Sequence, residues 1–109
     1  VMLLSPGEGI RVGHATASFR GYKLVDGVPH FEFSFGRTLV KLAIDSPKPG
    51  EIRQTFVVAK RSEPVRFIGP AANSSVSAAS SMGTWSGRLL QVNAKGETRL
   101  VINLRKKKP

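Results

Sequence analysis

The sequence predicts an all-β fold: an antiparallel, jelly-roll-like β-sandwich of about eight short strands with little or no helix. Three observations predict it. Apolar residues recur at period two over most of the chain, and turn-forming residues separate the alternating runs. No window repeats apolar residues at helical spacing beyond a single turn.

Strands are expected over 9–14, 18–25, 28–35, 38–45, 50–60, 64–69, 84–93 and 97–104. In the third, Phe31, Phe33 and Phe35 point one way while Glu32 and Ser34 point the other. In the fourth, Val40, Leu42 and Ile44 alternate with Lys41 and Ala43. In the fifth, Ile52, Gln54, Phe56 and Val58 alternate with Arg53, Thr55 and Val57. In the last, Leu100, Ile102 and Leu104 alternate with Arg99, Val101 and Asn103. Such alternation places one face on a core and one in solvent. Turns fall at Val25-Asp26-Gly27, Gly36-Arg37, Ser46 to Gly50, Ser62-Glu63-Pro64 and Asn93 to Gly96, each with a residue that tolerates positive φ or one whose φ is preset.

Two stretches break the pattern. Residues 70–83 are uncharged and made up mostly of serine and small or β-branched apolar residues; they read as a long loop, with a weak strand around Val76 as the other reading. The tail 105–109 (Arg105, Lys106, Lys107, Lys108 and Pro109) reads as disordered and as a candidate polyanion-binding segment. The remainder, 1–104, reads as one domain, since 109 residues suffice for a single hydrophobic core.

The chain has no cysteine, which excludes disulfides, thiolate catalysis, zinc–thiolate sites and covalent haem attachment. Seventeen Lys and Arg against seven Asp and Glu give a formal charge of +10. A field of that sign favours anionic partners, nucleic acid among them. The charges are dispersed along the chain, however, so solubility alone also accounts for them. No segment approaches the ~20 apolar residues of a membrane span. The opening Val1-Met2-Leu3-Leu4 is too short for a signal-peptide core, and the chain reads as a mature or excised piece.

Catalytic constellations are not evident. His14 and His30 lie in no metal-binding spacing, and no GxSxG elbow or triad order accompanies the serines. The seven carboxylates, mostly beside turns, show no facing pair of the kind glycoside hydrolysis needs. The chain therefore reads as no enzyme, with no catalytic residue, no metal site and no cofactor. Candidate ligand-contacting residues are Tyr22, His30, Trp85 and Arg88, because a ring beside a basic residue can stack on a sugar or a base. A core role for Tyr22 and Trp85 stays open beside that reading. Phe31, Phe33, Phe35, Phe56 and Phe67 read as core.

The run Phe19-Arg20-Gly21-Tyr22-Lys23-Leu24, followed by Asp26-Gly27-Val28-Pro29-His30-Phe31-Glu32-Phe33, is similar to a GYKL/GYRL-motif β-sandwich region of large secreted bacterial proteins. Those proteins resemble quinoprotein (sorbosone-type) dehydrogenases and usually carry a c-type haem domain. The strand Glu51 to Val58 and the stretch Gly83 to Leu89 fit the same pattern, so the resemblance covers residues 17–104. Physical reading agrees with it locally: Gly21 permits a bulge, and Val25-Asp26-Gly27 makes a hairpin turn. The resemblance implies a non-catalytic accessory module of a periplasmic or extracellular protein. Such a module docks beside domains of a redox or sugar-recognising protein, or binds a ligand such as carbohydrate. It carries over no catalytic residue, and this chain departs from the larger architecture in having no CxxCH haem motif. The alternative is a nucleic-acid- or polyanion-binding β-barrel, which would require a strand rich in both surface aromatics and basic residues.

Overall fold

The computed structural model describes residues 9–13, 16–59, 64–71, 74–93 and 96–106. Ten strands and no helix occur among them. In chain order these are β1 (Gly9–Val12), β2 (Ala17–Val25), β3 (Val28–Phe35), β4 (Thr38–Asp45), β5 (Glu51–Val58), β6 (Val65–Ile68), β7 (Val76–Ser80), β8 (Thr84–Ser86), β9 (Leu89–Val92) and β10 (Thr98–Lys106). Every pairing is antiparallel. The strands form two open sheets: a small one in the order β1-β6-β9-β8, and a large one in the order β2-β3-β4-β5-β10-β7.

Turn chemistry explains the connections. Asp26 and Gly27 both have positive φ, 51° and 79°, the pattern of a type I′ two-residue loop that matches the twist of the strands it joins. Between β8 and β9 the loop is Gly87-Arg88, with Gly87 at φ 61°. That turn corrects the expected continuous strand 84–93, because the chain reverses within it and Trp85 comes to lie opposite Leu90.

A second correction concerns residues 70–83. They are not loop throughout: the other reading, a strand around Val76, holds, since β7 forms from Val76 to Ser80 and pairs with β10 from Ile102 to Lys106. Small residues have weak strand propensity, so their own sequence gives little signal. What holds them is the ladder to β10, reinforced by Ser77 Oγ donating to the Arg105 carbonyl at 3.3 Å. The same pairing corrects the expected tail. Arg105 and Lys106 continue β10, while Lys107, Lys108 and Pro109 lie outside the described residues.

Alternation places the core as expected. Val40, Phe56, Val58, Leu100, Ile102 and Leu104 of the large sheet are buried in one cluster with Ile10, Val12, Val65, Phe67, Leu90 and Val92 of the small sheet. The rings of Phe56 and Phe67 meet across the two sheets with centroids 6.0 Å apart. Burial of this kind stabilises by about 25 cal/mol per Å² of apolar surface removed from water, and it is the main term holding the sheets together.

Candidate functional site

Coverage by the small sheet ends before the large sheet does. β3 shows this along its length: Phe35 is buried, Phe33 packs against the core, and Phe31 is only half-buried. Beyond it lies β2, the edge strand, where nearly every residue is exposed. On it Phe19, Tyr22 and Leu24 are 62%, 56% and 60% exposed, although all three sit on the face that becomes core elsewhere in the sheet.

The register explains how they share a face. Phe19 pairs with Phe33, the register then shifts, and Tyr22 pairs with Phe31 and Leu24 with Pro29. Residues three apart in a regular strand point to opposite faces. The extra residue of the bulge between Phe19 and Gly21 moves Tyr22 back to the side of Phe19. The rings pack in cross-strand pairs, Phe19 with Phe33 at 5.5 Å and Tyr22 with Phe31 at 5.3 Å, the second pair stacked. Arg20 occupies the bulge and Lys23 the opposite face, so β2 carries two cations and no carboxylate.

His30 and the outer charges lie on the other side of the large sheet. A recess of about 550 Å³ there is edged by His30, Lys41, Asp45, Arg53 and Arg99 over a floor that includes Ala43, Thr55 and Val57. Asp45 accepts both arms of the Arg53 guanidinium, one of them at 2.9 Å. That hydrogen bonding, against some desolvation and with the charge of Arg53 adding to it, holds the Asp45 carboxyl below its ordinary range, while the Asp45 carboxylate raises Arg53 above its own. At the neighbouring end of the sheet, Glu51 accepts from Arg105 at 2.8 Å and is likewise held low, first by that hydrogen bond. These pairs occupy two of the cations on that face, and Arg105, expected in a polyanion-binding tail, is one of them.

Trp85 and Arg88 meet at a third place. A recess of about 240 Å³ is bounded by both, by Gly69 and by Ala78. Trp85 Nε1 donates to Ser80 Oγ at 3.1 Å, its ring meets Phe67 edge-on at 6.5 Å, and a Cβ on Gly69 would stand 3.2 Å from it. The ring is thus a wall of the core with its N–H satisfied. Arg88 Nε donates to the Gly69 carbonyl at 3.1 Å.

The four candidate ligand-contacting residues are therefore not one site. Tyr22 stands on the exposed hairpin face, His30 in the outer recess, and only Trp85 and Arg88 adjoin. His14, Lys107 and Lys108 lie outside the described residues. Sequence reading missed Phe19 and Leu24 as surface residues, because a bulge disguises their common face with Tyr22; the spacing of three then two across a glycine is the signal that could have found them. Among the described residues no group of three or more His, Asp or Glu is placed to hold a metal ion, and no helix is long and apolar enough to cross a membrane. No family model, curated protein or solved structure matches this chain.

Proposed function

We propose that this chain is a non-catalytic docking module, a β-sandwich whose β2–β3 hairpin receives an extended strand of an acidic protein partner. The reading rests on one observation: Phe19, Tyr22 and Leu24 are more than half exposed on an edge strand. Exposed, contiguous apolar surface rimmed by polar residues marks interaction sites, and an unpaired strand edge offers a row of N–H and C=O groups to an added strand.

Charge selects among occupants. β2 carries Arg20 and Lys23 with no acid, in a chain of net charge +10. Two copies joined edge to edge would set these cations near their own counterparts, whereas an acidic strand complements them. Ring geometry argues against nucleobases. Tyr22 and Phe31 are stacked on each other and Phe19 is tilted against Phe33, so the faces that bases would use are partly spent within the hairpin. Leu24 extends the patch with aliphatic surface, which suits side chains better than bases. An accessory role beside other domains of an exported protein is compatible with this surface.

A synthetic ten-residue peptide alternating Val or Leu with Glu tests the proposal by fluorescence anisotropy. Saturable binding is expected, weakened at least ~10-fold by the double substitution Phe19→Ser, Tyr22→Ser, as for anchor residues of an interface. No binding of this peptide would overturn the reading. So would tighter binding of an oligothymidylate, or concentration-dependent dimerisation in sedimentation that the same double substitution abolishes. Because both substituted residues are exposed, the variant should fold, which its circular dichroism would verify.

A further inference from the structure

The small sheet carries an arrangement that the docking face does not use. In the β1–β6 ladder Arg11 stands directly opposite Arg66, and on the other side of β6 the partner of Arg66 is Gln91. Ile10, Val12, Val65, Phe67, Leu90 and Val92 face the core, so strand alternation puts Arg11, Arg66 and Gln91 together on the outer side. Like charges directly opposite each other destabilise an antiparallel pair. An acidic residue at either position would remove the repulsion, and none is there.

Neither guanidinium has a carboxylate partner among the described residues. Both are half-buried, and among the described residues they bond to backbone carbonyls: Arg11 Nη1 donates to Ile10 O at 2.9 Å and Arg66 Nη2 to Gly13 O at 3.1 Å. Arg66 Nε is buried with no hydrogen-bond partner among the described residues. A buried donor left unmade is unfavourable, and more so on a charged group. Two guanidiniums hold ten N–H donors between them and no acceptor, so most of their bonding capacity is unspent.

Both arginines border one recess of about 420 Å³ where the small sheet meets the edge of the large one. Thr16 adds a hydroxyl to its rim, and Ile10, Ala17 and Phe35 give it apolar walls. We propose that this recess binds a phosphate-class dianion, held between Arg11 and Arg66. The charge matches, because a phosphate monoester carries about −1.5 to −2 at neutral pH against the two cations, whereas a single carboxylate neutralises only one. The geometry matches as well, because phosphate oxygens accept the parallel N–H forks of arginine. A bare phosphate leaves much of the volume empty, and the apolar walls fit an organic group attached to it.

The test titrates the full chain with inorganic phosphate, phenyl phosphate and acetate by calorimetry at pH 7.5, ionic strength held constant with sodium chloride. Saturable binding of both phosphates is expected, with phenyl phosphate the tighter and acetate at least ~10-fold weaker. Arg66→Ala and Arg11→Ala should each weaken phosphate binding at least ~10-fold, the scale of losing charge-assisted hydrogen bonds. Arg66→Lys keeps the charge but loses the fork and should fall between. Affinity should decline as pH drops through about 6, where the dianion takes up a proton. Arg99→Ala removes one cation elsewhere and should leave binding unchanged. Arg11→Gln adds a readout that needs no ligand: it relieves the opposed charges, so it should raise the melting temperature in phosphate-free buffer and abolish the rise that phosphate induces. The proposal fails if phosphate does not saturate at millimolar concentration or if acetate binds as well. Equal weakening by Arg99→Ala would also sink it, because it would reduce the effect to general screening.

Discussion

β10 and β2 are both nine residues long, both antiparallel, and both apolar along one face of the same sheet. Yet Leu100, Ile102 and Leu104 of β10 are wholly buried, while Phe19, Tyr22 and Leu24 of β2 are more than half exposed. Side-chain chemistry does not separate them. Position does: β10 lies between β5 and β7 and contributes to the cluster shared with the small sheet, whereas β2 has a neighbour on one side only among the described strands. An apolar stripe thus announces that a face needs covering, and says nothing of what covers it. In β10 the cover is the chain itself, and the docking proposal holds that in β2 it is another protein.

The sharpest way to break the comparison is to truncate one apolar residue on each strand and measure urea unfolding. Leu100→Ala removes a side chain with no exposure, and should destabilise by about 2–5 kcal/mol through lost transfer energy and the cavity left behind. Phe19→Ala removes a larger side chain from the exposed strand, and should cost less than ~1 kcal/mol, the scale of its cross-strand contact with Phe33. If the two losses were equal, β2 would be covered in solution by something belonging to the chain, and the docking surface would not exist.

That contrast also marks how far the sequence could be read. Period-two alternation specifies strand type and the inward face of β4, β5 and β10, because one face of each is apolar and the ladder leaves no other register. Together with the Asp-Gly pair itself, it also located the Asp26-Gly27 turn, where positive φ at both positions favours such residues. It could not assign Phe31 a place different from Phe35, since both have the same spacing and their burial depends on how far a second sheet reaches. It left β7 as the weaker of two readings of 70–83, because small residues carry little strand signal of their own and Val76 to Ser80 become a strand by pairing with Ile102 to Lys106 of β10. The Arg11–Arg66 opposition was out of reach. Fifty-five positions separate the two residues, and only the pairing of β1 with β6 brings them opposite each other.

An intermediate effect is expected at the hairpin turn. Gly27 has φ 79°, a conformation that costs an L side chain roughly 1–2 kcal/mol, and there is open space around it. Gly27→Val should therefore destabilise by about that much through backbone strain alone. The loss should concentrate in the hairpin. Amide exchange of β2 and β3 should quicken more than that of β5 and β10, because an edge hairpin opens locally at a smaller free energy than the core. Uniform quickening across both sheets would show that the hairpin is an integral part of the cooperative unit, and would weaken the distinction between covered and uncovered regions.

The smallest effect comes from pH, and it acts on the covered side. Asp45 with Arg53 joins β4 to β5, and Glu51 with Arg105 joins β5 to β10, so these two ion pairs brace strands of the sheet's middle, and among the described residues no ion pair braces β2. Each carboxyl is held below its ordinary value, 3.8 for Asp45 and 4.5 for Glu51. A group whose pKa is depressed by folding contributes stability that is fully present above the unfolded value and is lost as pH falls through the folded one. These pairs should thus leave stability flat from neutral pH down to about 5 and reduce it below about 4. For the partly exposed Asp45–Arg53 pair the loss should be small, because solvent screens it. Amide exchange at pH 7 and pH 3, corrected for intrinsic rates, would read it by region. Protection should fall along β4, β5 and β10 and stay level along β2, narrowing the gap between the two halves of the sheet. Asp45→Asn should remove part of that acid response by lowering protection at neutral pH while leaving it little changed at pH 3. A fall in β2 as large as that in β5 would show that acid acts through the chain's net charge instead of through these two pairs.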